Sequence, residues 1–149
     1  MGPDVIPPYI CNMNKFILLF LVLFAGNSKR ESLPTFIKGK FIDDYGIQYT
    51  ISDSLWTQHP NANYHIIRCN EKEKYLILRN DDKNPSDPGL YSRIDFMPFE
   101  GMDPWKWGFC LSVYNAKSDS SAEKGYKADK LNPRKGCNGF PFSRMKSSN

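Results

Sequence analysis

Between residues 105 and 115 the chain reads WKWGFCLSVYN, and this run restricts the fold more than any other. Trp105, Trp107, Phe109, Leu111 and Val113 fall on one side at a period of two, and Lys106, Gly108, Cys110, Ser112 and Tyr114 fall on the other. A helix would scatter those rings around its circumference. A strand collects them on one face, so a heavy aromatic core packed on a sheet is expected. The 11 Pro and 10 Gly among 149 residues break up long helices and supply turns.

Shorter runs of the same character precede it. FIKGKFI (36–42) and GIQYTIS (46–52) flank the turn DDYG, and Ile47, Tyr49 and Ile51 alternate with Gln48, Thr50 and Ser52. YHIIRC (64–69) and YLILRN (75–80) are joined by the charged link NEKEK. The turn cluster NDDKNPSDPG (80–89) leads into LYSRIDFM (90–97), and the loop PFEGMDP (98–104) leads into the aromatic run. One short helix is expected over 118–128, started by a capping box at Ser120 and Glu123 and weakened at Gly125 by about 1 kcal/mol relative to Ala. The tail NPRKGCNGFPFSRM is too rich in Gly and Pro for either regular element. The chain therefore reads as mainly β: an antiparallel meander of about six strands, curled into a small barrel or sandwich, with one short C-terminal helix.

The N-terminal part reads as an export signal. Residues 16–25 (FILLFLVLFA) are ten apolar residues, half the roughly 20 that a membrane-spanning helix needs and the usual length of a signal's apolar region. Lys15 precedes them, and Ala25, Gly26 and Ser28 offer small residues for cleavage. Residues 1–12 add nothing a signal uses, so translation is expected to start at Met13. The expected division is a leader over 1–28 and one mature domain over 29–149, periplasmic or secreted. No Cys stands at the cleavage point, so lipidation is not expected.

Processing removes Cys11 and leaves Cys69, Cys110 and Cys137. The expected pair is Cys110–Cys137, because glycines around Cys137 let the tail turn back. Such a bridge contributes about 3 kcal/mol in the chain-entropy account. With the aromatic face inside, Cys110 points outward, and the bridge straps the tail across the outside of the sheet. Cys69 is left as a small buried hydrophobe.

The formal charge is +4, from 20 basic and 16 acidic side chains. The later part is the basic one, through Lys117, Lys124, Lys127, Lys130, Arg134, Lys135, Arg144 and Lys146. It reads as a solvated face, or as one that meets an anionic polysaccharide, lipid headgroups or an acidic partner. Nucleic acid is not an expected partner of an exported chain, and the membrane is met only through the leader.

Candidate chemistry is sparse. His59 and His65 match no zinc spacing; His65, alternating with Ile67 and Cys69, is expected on the core side. Asn80, Asp81, Asp82, Asn84 and Asp87 offer oxygens for calcium but lack the Gly and terminal Glu of an EF-hand loop, so a Pro-rich turn is expected. Asp95, Glu100 and Asp103 suggest the carboxylates of a small hydrolase acting on cell-envelope polysaccharide. There is no G-x-S-x-G, Walker loop or dinucleotide fingerprint, so no catalytic residue and no cofactor is assigned. Trp56, Trp105, Trp107 and Tyr91 are the candidates for stacking on a small ligand or glycan, against the alternative that they fill the core. The expected function is a non-catalytic domain that binds a ligand, glycan or envelope component. The alternatives are the hydrolase and a structural or adhesive cell-surface protein.

The stretch WGFCLSVYNA…AEKGYKADKLNPRKGCNGFPFSRM resembles a group of uncharacterised exported bacterial proteins with an aromatic strand carrying one Cys, a short Ala-containing helix and a closing GC-x-GFP-aromatic tail. GKFIDDYG and SRIDF fit the same pattern, and Cys69 lies outside it. The resemblance implies export and the fold, and brings no activity. The opening GKFIDDYGIQYTI is also similar to the starts of small lipocalin-like barrels.

Overall fold

The structure, a computed structural model, describes residues 32–148. The expected leader, the start at Met13 and Cys11 lie outside the described residues. Eight strands run in sequence: β1 (Gly39–Asp43), β2 (Gln48–Ile51), β3 (Leu55–Gln58), β4 (Ala62–Asn70), β5 (Tyr75–Asn80), β6 (Tyr91–Pro98), β7 (Trp107–Ala116) and β8 (Ser143–Ser147). Each pairs antiparallel with the next, and β8 returns to β1 through Phe41 opposite Ser147 and Asp43 opposite Met145. The result is a closed up-and-down barrel without free edges.

The barrel and the meander are as the residue pattern implies, but the strand count is eight rather than about six. β3 (LWTQ) is too short to show a period. β8 (SRMKS) lies in the tail expected to be irregular, and Met145 is its one buried residue. Both are strands because the neighbours on either side supply their hydrogen bonds.

The interior is filled by rings. Trp56 and Trp107 are 1% and 0% exposed, with centroids 6.0 Å apart and planes at 90°. Phe109 lies 5.1 Å from Trp56, and Phe41 lies 5.2 Å from Trp107, again edge to face. An eight-stranded barrel is just wide enough for side chains to occupy it. Before β1, a 3-10 turn over Thr35–Ile37 adds Ile37 and Leu33 to the same core.

A second layer lies outside. β7 leads into α1 (Asp119–Lys124), whose Ala122 packs on the outward side chains Tyr75 and Ile77 of β5. The following segment packs Ala128 and Phe142 on Cys110, and Cys110 is bonded to Cys137 with a Cα–Cα separation of 5.5 Å. The outward Cys110 and its strap are as expected.

Three local expectations are corrected. The N-cap of α1 is Ser118, whose hydroxyl accepts from the Ser121 N–H, so the box does not start at Ser120; Gly125 ends the helix after six residues. Leu111, expected in the core, is 38% exposed although it stays in register opposite Ile94, and Val113 packs outside on the Tyr75–Ile77–Ala122 cluster because the β6–β7 register shifts between the Ile94–Leu111 and Arg93–Val113 pairs. His65 faces solvent, not the core, and lies 2.8 Å from Asp81.

Candidate functional site

The four stacking candidates are not brought together. Trp56 and Trp107 lie inside the barrel. Trp105 lies outside, with Arg144 and Lys146 over its ring at 5.0 and 5.2 Å. Tyr91 packs beneath α1 against the Tyr75–Ile77–Ala122 cluster. The Trp107 indole N–H is buried and finds no hydrogen-bond acceptor among the described residues, while its ring packs on Phe36, Phe41, Trp56 and Phe109.

The three carboxylates are also separated. Asp95 is wholly buried beneath the outer layer, whereas Glu100 and Asp103 stand on the exposed loop between β6 and β7, where Asp103 pairs with Lys106. In the 80–89 turn Asn80 Oδ1 accepts from Ser92 Oγ at 2.7 Å and Asp81 Oδ2 lies 2.8 Å from His65 Nε2. The Asn80 amide donates to the carbonyls of Asp87 and Tyr114, and Asn84 makes a reciprocal pair with the Asn63 backbone at 2.8 and 2.7 Å. Asp82 takes Arg79 at 2.7 Å.

A groove of about 370 Å³ lies instead on the outer wall. Three loops form it: the β1–β2 turn with Asp44 and Tyr45, the β6–β7 loop with Phe99 and Met102, and the strap with Pro133, Arg134, Pro141 and Phe142. One contact joins residues a hundred positions apart. The Arg144 Nε donates to Asp44 Oδ2 at 2.9 Å, and the Arg144 N–H donates to Asp44 Oδ1 at 3.0 Å. Asp43 holds the turn in place: its buried carboxylate accepts the N–H groups of Tyr45 and Ile47 and the hydroxyl of Tyr49. Burial, followed by the Asp43 charge, pushes the Tyr49 phenol far above its ordinary value, so it stays a donor. On the other side the Phe99 ring lies directly over Gly108; a Cβ at that position would stand 2.5 Å from it. Gly108 therefore lets the loop lie flat on the wall.

The groove thus has an apolar floor, with Tyr45 72% and Met102 40% exposed at its rim. Its cations differ in state. Arg144 is matched by Asp44, whereas the Arg134 guanidinium is exposed and has no ion-pair partner among the described residues. Such a lining suits an anionic group carried on an apolar or aromatic body. Sequence reasoning marks Arg134 and Arg144 as part of the basic tail but does not bring them together with the loop residues, because burial on loops leaves no period. The further local signals are an aromatic in the DDYG turn and the Phe and Met of PFEGMDP.

The strap that forms one wall is anchored by a buried charge cluster. Asp95 accepts from Arg93 Nε and Nη2 at 3.0 and 2.9 Å, from Ser112 Oγ at 2.6 Å, from Lys130 Nζ at 2.7 Å and from the Ala128 N–H at 3.3 Å. Burial alone would raise its pKa; the hydrogen bonds from Arg93, Lys130 and Ser112 outweigh it and leave the carboxyl below its ordinary value. Arg93 stacks on Tyr75 at 3.9 Å and donates to the Glu123 carbonyl at 3.0 Å. The Glu123 carboxylate takes the Tyr75 hydroxyl and Arg68, which together hold it below its ordinary value.

No family model, curated protein or solved structure matches this chain. Among the described residues no helix is long and apolar enough to cross a membrane.

Proposed function

We propose that the protein is an exported, non-catalytic binding domain that takes a small anionic molecule with an apolar or aromatic body in the outer groove. The observation that carries this reading is the exposed guanidinium of Arg134, without an ion-pair partner among the described residues, beside a floor of Phe99 and Phe142. The titratable side chains lining the groove are Asp44, Tyr45, Arg134 and Arg144, and Asp44 is committed to Arg144. This set is suited to holding a ligand and contains no nucleophile with a base beside it. Export is supported by the Cys110–Cys137 bond, which forms and persists in oxidising compartments, and by the short apolar run at 16–25.

The test is titration with dodecanoate, followed through the methyl resonance of Met102 and through the heat of binding. Saturable one-site binding is expected, weakened about tenfold by Arg134→Gln and by Tyr45→Ala with the far-UV spectrum unchanged. Binding that ignores both substitutions, or the absence of saturation, overturns the assignment to this groove.

A further inference from the structure

Two turns of the outer layer hold apolar side chains out in water. Leu131 is 96% exposed and Phe140 is 71% exposed. Neither turn is loosely held. The Asp129 N–H donates to the Gly136 carbonyl at 2.8 Å, and the Leu131 N–H donates to Asp129 Oδ1 at 3.0 Å. The Tyr126 hydroxyl donates to the same Gly136 carbonyl at 2.8 Å and accepts the Asn138 N–H at 3.0 Å. Cys137 and Phe140 exchange backbone hydrogen bonds at 3.0 and 2.8 Å, and the disulfide fixes Cys137 to β7. These bonds keep both tips from folding back onto the barrel.

The acidic side chains of this layer are engaged, and three of its lysines are not. Asp119 and Glu123 are drawn onto Arg68, and Asp129 caps its own turn. Lys124, Lys127 and Lys135 are exposed and make no ion pair among the described residues. The layer therefore combines two exposed apolar tips with three exposed lysines that make no ion pair among the described residues.

We propose that this surface, Leu131 and Phe140 with Lys124, Lys127 and Lys135, docks on an anionic lipid bilayer. A rigid acidic protein would need a socket shaped for each tip. A bilayer yields around an inserted Leu or Phe and places phosphates where the lysine stems reach. The contact is distinct from the groove and from passage through a membrane at export.

The test is co-sedimentation with vesicles of phosphatidylcholine and with vesicles of equal parts phosphatidylcholine and phosphatidylglycerol. Wild type, Leu131→Ala/Phe140→Ala and Lys127→Gln/Lys135→Gln are compared as recovered, with the same N-terminus established by mass spectrometry, so that residues 16–25 contribute equally if retained. Wild type is expected to prefer the anionic vesicles; Leu131→Ala/Phe140→Ala is expected to lose about tenfold or more in affinity for them, and Lys127→Gln/Lys135→Gln about tenfold or more of the preference, each with its far-UV spectrum intact. Equal binding of wild type to both vesicle types overturns the proposal. So does full retention by the Leu131/Phe140 variant with loss only in the lysine variant, since the apolar tips then take no part and a polyanion without a lipid phase suffices. The groove variant Tyr45→Ala, on the β1–β2 turn and uncharged, is expected to bind vesicles as wild type does, which separates this failure from failure of the groove.

Discussion

Asp95→Asn is the most informative single substitution, because it changes charge at nearly constant volume. Arg93 and Asp95 are 1% and 0% exposed, and the carboxylate receives five donors from β6, β7 and the strap. The amide leaves the Arg93 charge buried and turns two hydrogens toward a site made entirely of donors. Removing one partner of a buried, hydrogen-bonded pair costs about 3–5 kcal/mol. For a domain of this size that corresponds to a fall of roughly 12–20 °C in Tm. Thermal unfolding followed through the buried Trp56 and Trp107, with far-UV circular dichroism alongside, measures it. Replacing both members, Arg93→Met with Asp95→Leu, is expected to recover all but about 1–2 kcal/mol, because the uncompensated charge is gone. The pH dependence has a fixed sign. The folded carboxyl lies below its unfolded value near 3.8, so its contribution is complete above that value and disappears as pH falls through the folded one. The gap between wild type and Asp95→Asn is therefore constant through neutral pH and closes in strong acid. A loss of less than about 1 kcal/mol, or a double variant no better than the single one, refutes the electrostatic account of this anchor.

Three further outcomes are expected. Cys110→Ala/Cys137→Ala, which opens a link across 27 positions, lowers stability by about 3.5 kcal/mol in urea denaturation, and non-reducing peptide mapping of the parent finds Cys110 joined to Cys137. Gly136→Ala costs more than about 3 kcal/mol, since its Cβ would stand 1.9 Å from the Asp129 carbonyl oxygen, whereas Gly46→Ala costs only about 1 kcal/mol for its positive φ in open space; paired urea titrations check the contrast. N-terminal sequencing of the precursor starts at Met13 and that of the exported protein after Ala25 or Ser28; a precursor peptide containing Tyr9 removes the late start.

What the residue pattern discloses depends on whether a strand supports itself or is supported by others. β5 is legible as YLILRN with the bounds Tyr75–Asn80, because the core takes Leu76 and Leu78 while α1 covers Tyr75 and Ile77, leaving a continuous apolar run. β8 is not legible. Its only deeply buried side chain is Met145, and it is a strand because β1 and β7 both lack a partner until it arrives. The aromatic run of β7 discloses its inner face through Trp107 and Phe109 and then misleads at Val113, because β7 takes two residues from Leu111 to Val113 where β6 takes one from Ile94 to Arg93. The disulfide is legible because parity and flanking glycines are local facts. The groove is not, because its Asp44–Arg144 contact spans a hundred positions and no period connects one loop to another.

The filled interior decides where binding can take place. In a barrel with room inside, the tryptophans that sequence reasoning singles out would line a ligand cavity. Here Trp56 and Trp107 meet edge to face across that space, and Ile37 and Leu33 join them from the segment ahead of β1. A ligand placed there would have to displace close-packed rings, each displacement costing several kcal/mol of the core that keeps the barrel closed. The outer wall carries no such cost, and it has an unusual share of the chain: residues 117–142 lie outside the sheet, held by one disulfide and by Asp95. An outer layer anchored by a covalent bond and a buried charge cluster is more than the barrel needs for closure, since β8 itself completes the sheet. What the layer adds is surface: the third wall of the groove, the unmatched Arg134, and the rigid turns that hold Leu131 and Phe140 in solvent. On the proposed reading the aromatic core provides the platform, and the recognition chemistry belongs to the segment strapped across its outside.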